Sequence, residues 1–180
     1  MAYDFKKDLY RFYGEKGESF IRRLMRPPEL KYISLLRKTQ NARSLFFKSL
    51  YTLRLKKMSY KTHIQIPPRA LIGEGFYIGH SGRVIIHTDA RLGKNINIST
   101  GVTIGVENRG KRKGVPTFEG DCFIGTNAVI VGNVHIGRDV LIAPLSYVNF
   151  DVPSHSIVLG NPAKIIPREN AAYGYLQNTV

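Results

Sequence analysis

From residue 66 onward an aliphatic side chain recurs at every sixth position. Ile66, Ile72 and Ile78 form one run, Ile86, Leu92, Ile98 and Ile104 a second, and Phe118, Ile124, Ile130, Ile136, Ile142 and Val148 a third. Four residues after most of these stands a small or apolar residue: Ala70, Ala90, Ile96, Val102, Cys122, Ala128, Val134, Val140, Ser146 and Val152. Glycine follows the aliphatic residue at Gly73, Gly79, Gly93, Gly105, Gly125 and Gly137. A short period held over this length marks a β-solenoid. Each hexad supplies one strand and one corner, and three hexads close a triangular coil. The aliphatic residues are expected to fill the prism. The small fifth-place residues, with Gly73, Asn95, Asn127 and Asn133, are expected to let the chain turn. Thirteen positions in register argue against a β-sandwich of alternating strands. The expected fold is mainly β: a left-handed parallel β-helix over residues 62–168, preceded by a basic α-helical region at 1–61 and followed by a tail at 169–180.

The count fails twice. Between Ile78 and Ile86 two extra residues widen a corner and display His80. With three hexads per turn, that corner stacks with those bearing Thr100, Thr126, Asn127 and Ser146. A histidine there can act as a general base, because its unperturbed pKa lies near neutrality. The bland alternative is an ordinary exposed loop histidine. Between Ile104 and Phe118 the segment 105–117 must leave the prism as a loop. It gathers Arg109, Lys111, Arg112 and Lys113. Such a loop can clamp the phosphate of a nucleotide or a sugar phosphate, or it can simply be solvated.

The first third follows a helical period, in SFIRRLM, ELKYISLLRK and ARSLFFKSLYTLRLKK, with Pro27 and Pro28 dividing two pieces. Residues 1–60 hold fifteen Lys and Arg against five Asp and Glu, so most of the net charge of +14 sits there. That charge points to an anionic partner or to a solvated face. Leu45, Phe46, Leu50 and Leu53 share one side of the last helical stretch. They can pack on the protein's own body, on another subunit, or on an anionic bilayer. No apolar run is long enough to span a membrane and no signal-peptide core is present. The lone Cys122 excludes an internal disulfide and fits a reducing compartment. A cytoplasmic protein, at most peripheral to the inner face of the membrane, is expected.

GFYIGHSGRVIIHTDARLGKNINISTGVTIG and GTNAVIVGNVHIGRDVLIAP…DVPSHSIVLGNPAKII resemble the serine acetyltransferase branch of the hexapeptide acyltransferases. The resemblance covers roughly residues 62–168. It implies acetyl-CoA as co-substrate, no metal, and a homotrimer with active sites between subunits. By it, His80 deprotonates the acceptor hydroxyl, and the arm of CoA contacts Gly105, Gly125, Thr126, Ala128, Ala143 and Ser146, with Lys164 near its nucleotide end. On the acceptor side this chain departs from the family. Gly79 stands where the family has an Asp before the histidine, and Gln65 stands where another Asp orients it. The loop RGKRKGVP lacks the histidine of the family's DRHP-like segment. Gln65, Gly79, Arg109 and Arg112 are therefore the expected acceptor-side positions. Gln65, Glu74 or a backbone carbonyl is the candidate partner that orients His80.

A zwitterionic amino acid needs a carboxylate for its ammonium, and Gly79 supplies none. The expected acceptor is accordingly a sugar hydroxyl, as in the exopolysaccharide and capsule O-acetyltransferases, with NRGKRKG after GVTIG as a further likeness. Serine O-acetylation is the alternative. A zinc carbonic anhydrase-like β-helix using His80, His87 and His135 is a remote one, since His80 and His87 fall on different corners. Nucleic-acid binding rests on charge alone, without a recognition motif.

Overall fold

A computed structural model describes residues 3–180 of the chain. Two parallel ladders carry the hexad region. One contains Ile64–Gln65, Val84–Ile86, Thr103–Gly105, Val129–Val131 and Tyr147–Val148, one strand from each of five successive coils. The other contains Leu71–Ile72, Arg91–Ile98, Thr117–Ile124, Val140–Ile142 and Ser156–Gly160. Arg91–Ile98 and Thr117–Ile124 each run round a corner, which they turn at Asn95 (φ 54°) and Asp121 (φ 52°). Tyr77–Ile78 and His135–Ile136 pair with opposite ends of these long strands. The ladder closes on an antiparallel hairpin formed by Ser156–Gly160 and Ala163–Pro167. The chain is thus the expected left-handed parallel β-helix, with backbone hydrogen bonds running from coil to coil.

Register follows the sequence count. Ile78 pairs with Ile98, Ile98 with Ile124, and Ile124 with Ile142. On a second face Ile86, Ile104, Ile130 and Val148 stack in the same way. All are buried. Stacked coils bury what a single coil would expose, which is why the repeat is stable only as an array.

The fifth-place residues do something other than expected. Ala70, Ala90, Ile96, Val102, Ala128, Val140 and Ser146 are themselves almost wholly inaccessible. Each lies two residues before the next aliphatic position, and strand alternation puts both on the inner side. Their small size reflects limited room within the prism. Turning is done elsewhere, by left-handed residues such as Asn95, Asn127 and Asp139. Gly73 and Asn133 are not left-handed. Gly73 is required by close approach, because a Cβ there would lie 2.5 Å from the Gly93 carbonyl oxygen of the next coil.

Among the described residues four α-helices precede the prism: α1 (Phe5–Tyr13), α2 (Phe20–Leu24), α3 (Pro28–Asn41) and α4 (Leu45–Thr62). Asp4 caps α1 by accepting from the Lys6 amide, and Pro28 opens α3, where its missing N–H costs nothing. α3 seals the open first coil. Tyr32, Ile33 and Leu36 join the same core as the hexad residues, and the Tyr32 hydroxyl accepts from the Ile66 amide at 2.9 Å. α4 contributes Leu55 to that core, while Leu45, Phe46 and Leu53 stay exposed. Of the expected apolar side of α4, Leu45, Phe46 and Leu53 therefore do not pack on the protein's own body, while Leu50 is half-buried. Among the described residues, no helix is long and apolar enough to cross a membrane.

Candidate active site

The widened corner after Ile78 is tied down on both sides of His80. The Gly79 amide donates to the Ile98 carbonyl at 3.1 Å, and the Gly82 amide donates to the Thr62 carbonyl at 3.0 Å. Ser81 Oγ donates to Glu29 Oε2 of α3 at 2.8 Å. Gly82 adopts φ 155°, and a Cβ there would meet Thr100 Oγ1 at 2.0 Å, so the extra residues lie flat against the next coil. His80 is left exposed at the tip.

Its imidazole faces a cavity of about 350 Å³. Gly79, Ser99 and the stacked outward residues Tyr77, Asn97 and Phe123 form the floor. Arg11 and Phe12 of α1 form one wall, Phe12 lying 4.4 Å from Tyr77 between ring centroids. Tyr175 and Gln177 of the C-terminal tail form the other, with Tyr175 4.8 Å from Phe123. Asn97 links the walls: its Oδ1 accepts from Arg11 Nη2, and its Nδ2 donates to the Tyr175 carbonyl at 2.9 Å. Burial raises the Tyr77 phenol, and Glu29 adds to the effect. Burial also lowers the Arg11 guanidinium to about 10, which leaves it charged at neutral pH. Among the described residues, no carboxylate lines the cavity.

Of the expected site residues, His80 and Gly79 share this cavity. Gly125, Thr126 and Ala143 continue the same edge on the following coils, as the Leu145 amide bonded to the Thr126 carbonyl indicates. Lys164 is exposed on the terminal hairpin opposite Leu159. From the His80 coil to that hairpin is four coil spacings, roughly 19 Å.

Other expectations are corrected. Ala128 and Ser146 point into the prism, where Ser146 Oγ donates to the Val158 carbonyl and accepts from the Gly160 amide. Neither side chain can touch a ligand on the outside. Glu74 pairs with Lys7 at 2.6 Å on another corner and does not orient His80. Gln65 lines a separate depression with His63, Arg83, Thr100, Gly101 and Asn127. Gly105 opens the protruding loop at a neighbouring corner. The loop is a small hairpin closed by reciprocal Glu107 and Gly114 bonds of 2.9 Å, and Asn133 donates to the Arg112 carbonyl. Arg112 is committed to Asp151 at 3.2 Å, whereas Arg109 is exposed. His80, His87 and His135 lie apart; His87 sits beside Asp89 and His135 against Glu119. Asp139, His155 and Glu169 bring donor atoms within 4.8 Å of one another, but Asp139 already accepts the Ala171 and Ala172 amides and pairs with His155. That cluster clamps the tail.

Arg11, Asn97, Tyr175 and Gln177 did not emerge from the hexad pattern. Asn97 carried a faint signal, as a polar residue between two buried isoleucines that must point outward. Larger depressions flank α4, of about 530, 510 and 480 Å³. None of them includes the His80 corner.

No family model matches the chain. It is 38% identical over 105 residues to a serine acetyltransferase of Bacillus licheniformis, covering 58% of this chain and 49% of that protein. Its fold resembles the serine acetyltransferase of Neisseria gonorrhoeae in complex with serine, with TM-score 0.70 and 28% identity over 90% of this chain and 66% of that one. It also resembles a serine acetyltransferase in complex with CoA, with TM-score 0.72 and 25% identity over 90% and 67%. The chain spans about half the length of the curated Bacillus relatives it matches.

Proposed function

We propose that this chain is an acetyl-CoA-dependent O-acetyltransferase acting on a small hydroxyl acceptor, with His80 as the general base. The carrying observation is the exposed imidazole on a rigidly tied, widened corner that opens into an acceptor-sized cavity. The likeness to serine acetyltransferases, two of them solved with CoA and with serine, supports the same chemistry. The sugar of an exopolysaccharide, expected from the sequence, gives way to serine, because the relatives carry serine acetyltransferase names.

In this reading His80 takes the proton as the acceptor oxygen attacks the thioester carbonyl, and the charge passes to a tetrahedral oxyanion. The Gly79 and Gly82 amides are already bonded within the scaffold, so the corner amides of His80 and Ser81 are the candidates to steady it. Collapse breaks the C–S bond, and the protonated imidazole returns its proton to the departing thiolate. General-base assistance of this kind contributes about 10²–10⁴-fold. The edge through Gly125, Thr126 and Ala143 towards Lys164 is the natural path for the CoA arm.

A homotrimer would bring the loop with Gly105, Arg109 and Arg112 of one subunit towards the His80 edge of the next; sedimentation analysis tests the assembly. The exposed Leu45 and Phe46 of α4, among basic residues, remain the basis for a peripheral membrane reading. Salt-sensitive adsorption to anionic vesicles tests that separately. For the chemistry, thiol release from acetyl-CoA is followed with serine as acceptor. Serine-dependent release should collapse in His80→Ala, and an unchanged rate in that variant removes the mechanism.

A further inference from the structure

Arg11 lies three residues after Asp8 on α1 and is only 3% exposed. Its guanidinium has one bond, from Nη2 to Asn97, while Nε and Nη1 are buried with no partner among the described residues. A cation taken out of water without a counter-charge is costly, so buried arginines are ordinarily paired. The nearby carboxylates are engaged elsewhere. Asp8 is held by Arg37, and Asp121 by Asn95 and Arg138. Arg11 is therefore an unsatisfied guanidinium in the wall of the His80 cavity, and the side chains opposite it, Tyr175 and Gln177, are exposed.

We propose that Arg11 receives the carboxylate of the acceptor, so that the preferred substrates are small hydroxyl-bearing carboxylic acids. This rests on the acetyl-transfer reading above and names its substrate class. A guanidinium presents a planar fork that matches a carboxylate. Among the described residues Arg11 is the only Lys or Arg lining the cavity, so it balances a monoanion and leaves a phosphate dianion undercompensated. Among the described residues the cavity contains no carboxylate, so an ammonium on the acceptor finds only neutral oxygens, those of Asn97, Ser99, Tyr77, Tyr175 and Gln177. Selection falls on the acid group and not on the amine.

The test uses four acceptors that separate the two groups: serine, glycerate, serinamide and glyceramide. Binding is read as the rise in Tm of the whole chain, and transfer as CoA release. Serine and glycerate should both raise Tm, in the wild type and in His80→Ala, and the two amides should not. In Arg11→Met the KM for both acids should rise about 10- to 100-fold, with the KM for acetyl-CoA unchanged. Arg11→Lys, which keeps the charge and loses the fork, should fall between the two. If wild-type protein binds or acetylates the amides as well as the acids, the proposal is overturned, and that outcome needs no variant to fold. If the acids stabilise wild type and His80→Ala but no acetyl group moves, the transfer reading fails and the Arg11 site stands.

Discussion

The Arg37 guanidinium and the Asp8 carboxylate meet inside the protein, Nε to Oδ2 at 2.7 Å, with 1% and 0% of their side chains exposed. The pair is fully engaged. Arg37 also donates to the Ile72 and Gly73 carbonyls at 2.7 and 2.6 Å, and Asp8 accepts from the Phe76 amide at 2.9 Å. One contact thus fastens α1, α3 and the first coil together. Because Asp8 and Arg11 are three apart on α1, the same contact fixes where Arg11 stands in the cavity wall.

Removing one partner leaves the other buried and charged. Asp8→Asn or Arg37→Met should each lower stability by about 3–5 kcal/mol. Urea unfolding of the single variants and of the Asp8→Asn/Arg37→Met double variant checks this. The double variant should lose less than the sum of the single losses. Strict additivity would mean that the pair does not act as a unit.

Close coil stacking makes a second demand. A Cβ on Gly93 would lie 1.9 Å from the Glu119 carbonyl oxygen of the next coil. That neighbour is backbone within a ladder and cannot swing away. Gly93→Ala should cost about 1–3 kcal/mol by overpacking, measured as a lowered urea midpoint. The same change at Gly17, which has φ 58° but nothing within 4 Å, should act only through its backbone and cost less.

The prism was legible because its physics is periodic: Ile78, Ile98, Ile124 and Ile142 must stack if each coil takes three hexads, and they do. The widened corner was legible for the same reason, since a failed count locates an extrusion. The inward turn of Ser146 was not, because a small residue at a corner reads equally as a turn former and as a space-limited core residue. The cavity walls were out of reach for a different reason. Arg11 and Tyr175 arrive from 69 residues before and 95 residues after His80 in the chain, by contacts that no local period encodes. A basic residue on a helix with a high positive charge looks the same whether it is solvated or buried.

Cys122 faces the interior beside the Gly120 and Gly137 carbonyls, and burial pushes its thiol up to about 12. Thiolate is the reactive form, so the folded protein should resist thiol reagents at neutral pH. Ellman's reagent should report no fast-reacting thiol in native protein and one after unfolding in urea. Rapid native labelling would mean that the third coil opens. This resistance also keeps the thiol-release assay free of background from the enzyme.

The tail that walls the cavity hangs on Asp139. Burial opposes ionisation of this carboxyl, but the Ala172 amide, the His155 imidazole and the Ala171 amide outweigh it and hold it below its ordinary value of 3.8. His155 is raised above its ordinary 6.5, chiefly by its hydrogen bond to Asp139, with Glu169 adding to it. The signs then follow by linkage. The depressed carboxyl contributes stability that is complete above 3.8 and lost as pH falls through its folded value. The raised imidazole contributes stability that is complete below 6.5 and lost as pH rises through its folded value. The clamp should therefore be firmest between these limits, weaken modestly towards alkaline pH, and release in acid. Amide exchange at Ala171 and Ala172 reads the clamp directly, and Asp139→Asn should abolish the acid step. As Tyr175 and Gln177 follow on the same tail, that variant should also raise the KM for the acceptor while leaving that for acetyl-CoA unchanged. Protection that persists undiminished well below pH 3.8, or a KM effect confined to acetyl-CoA, would show that Asp139 does not hold the cavity wall in place.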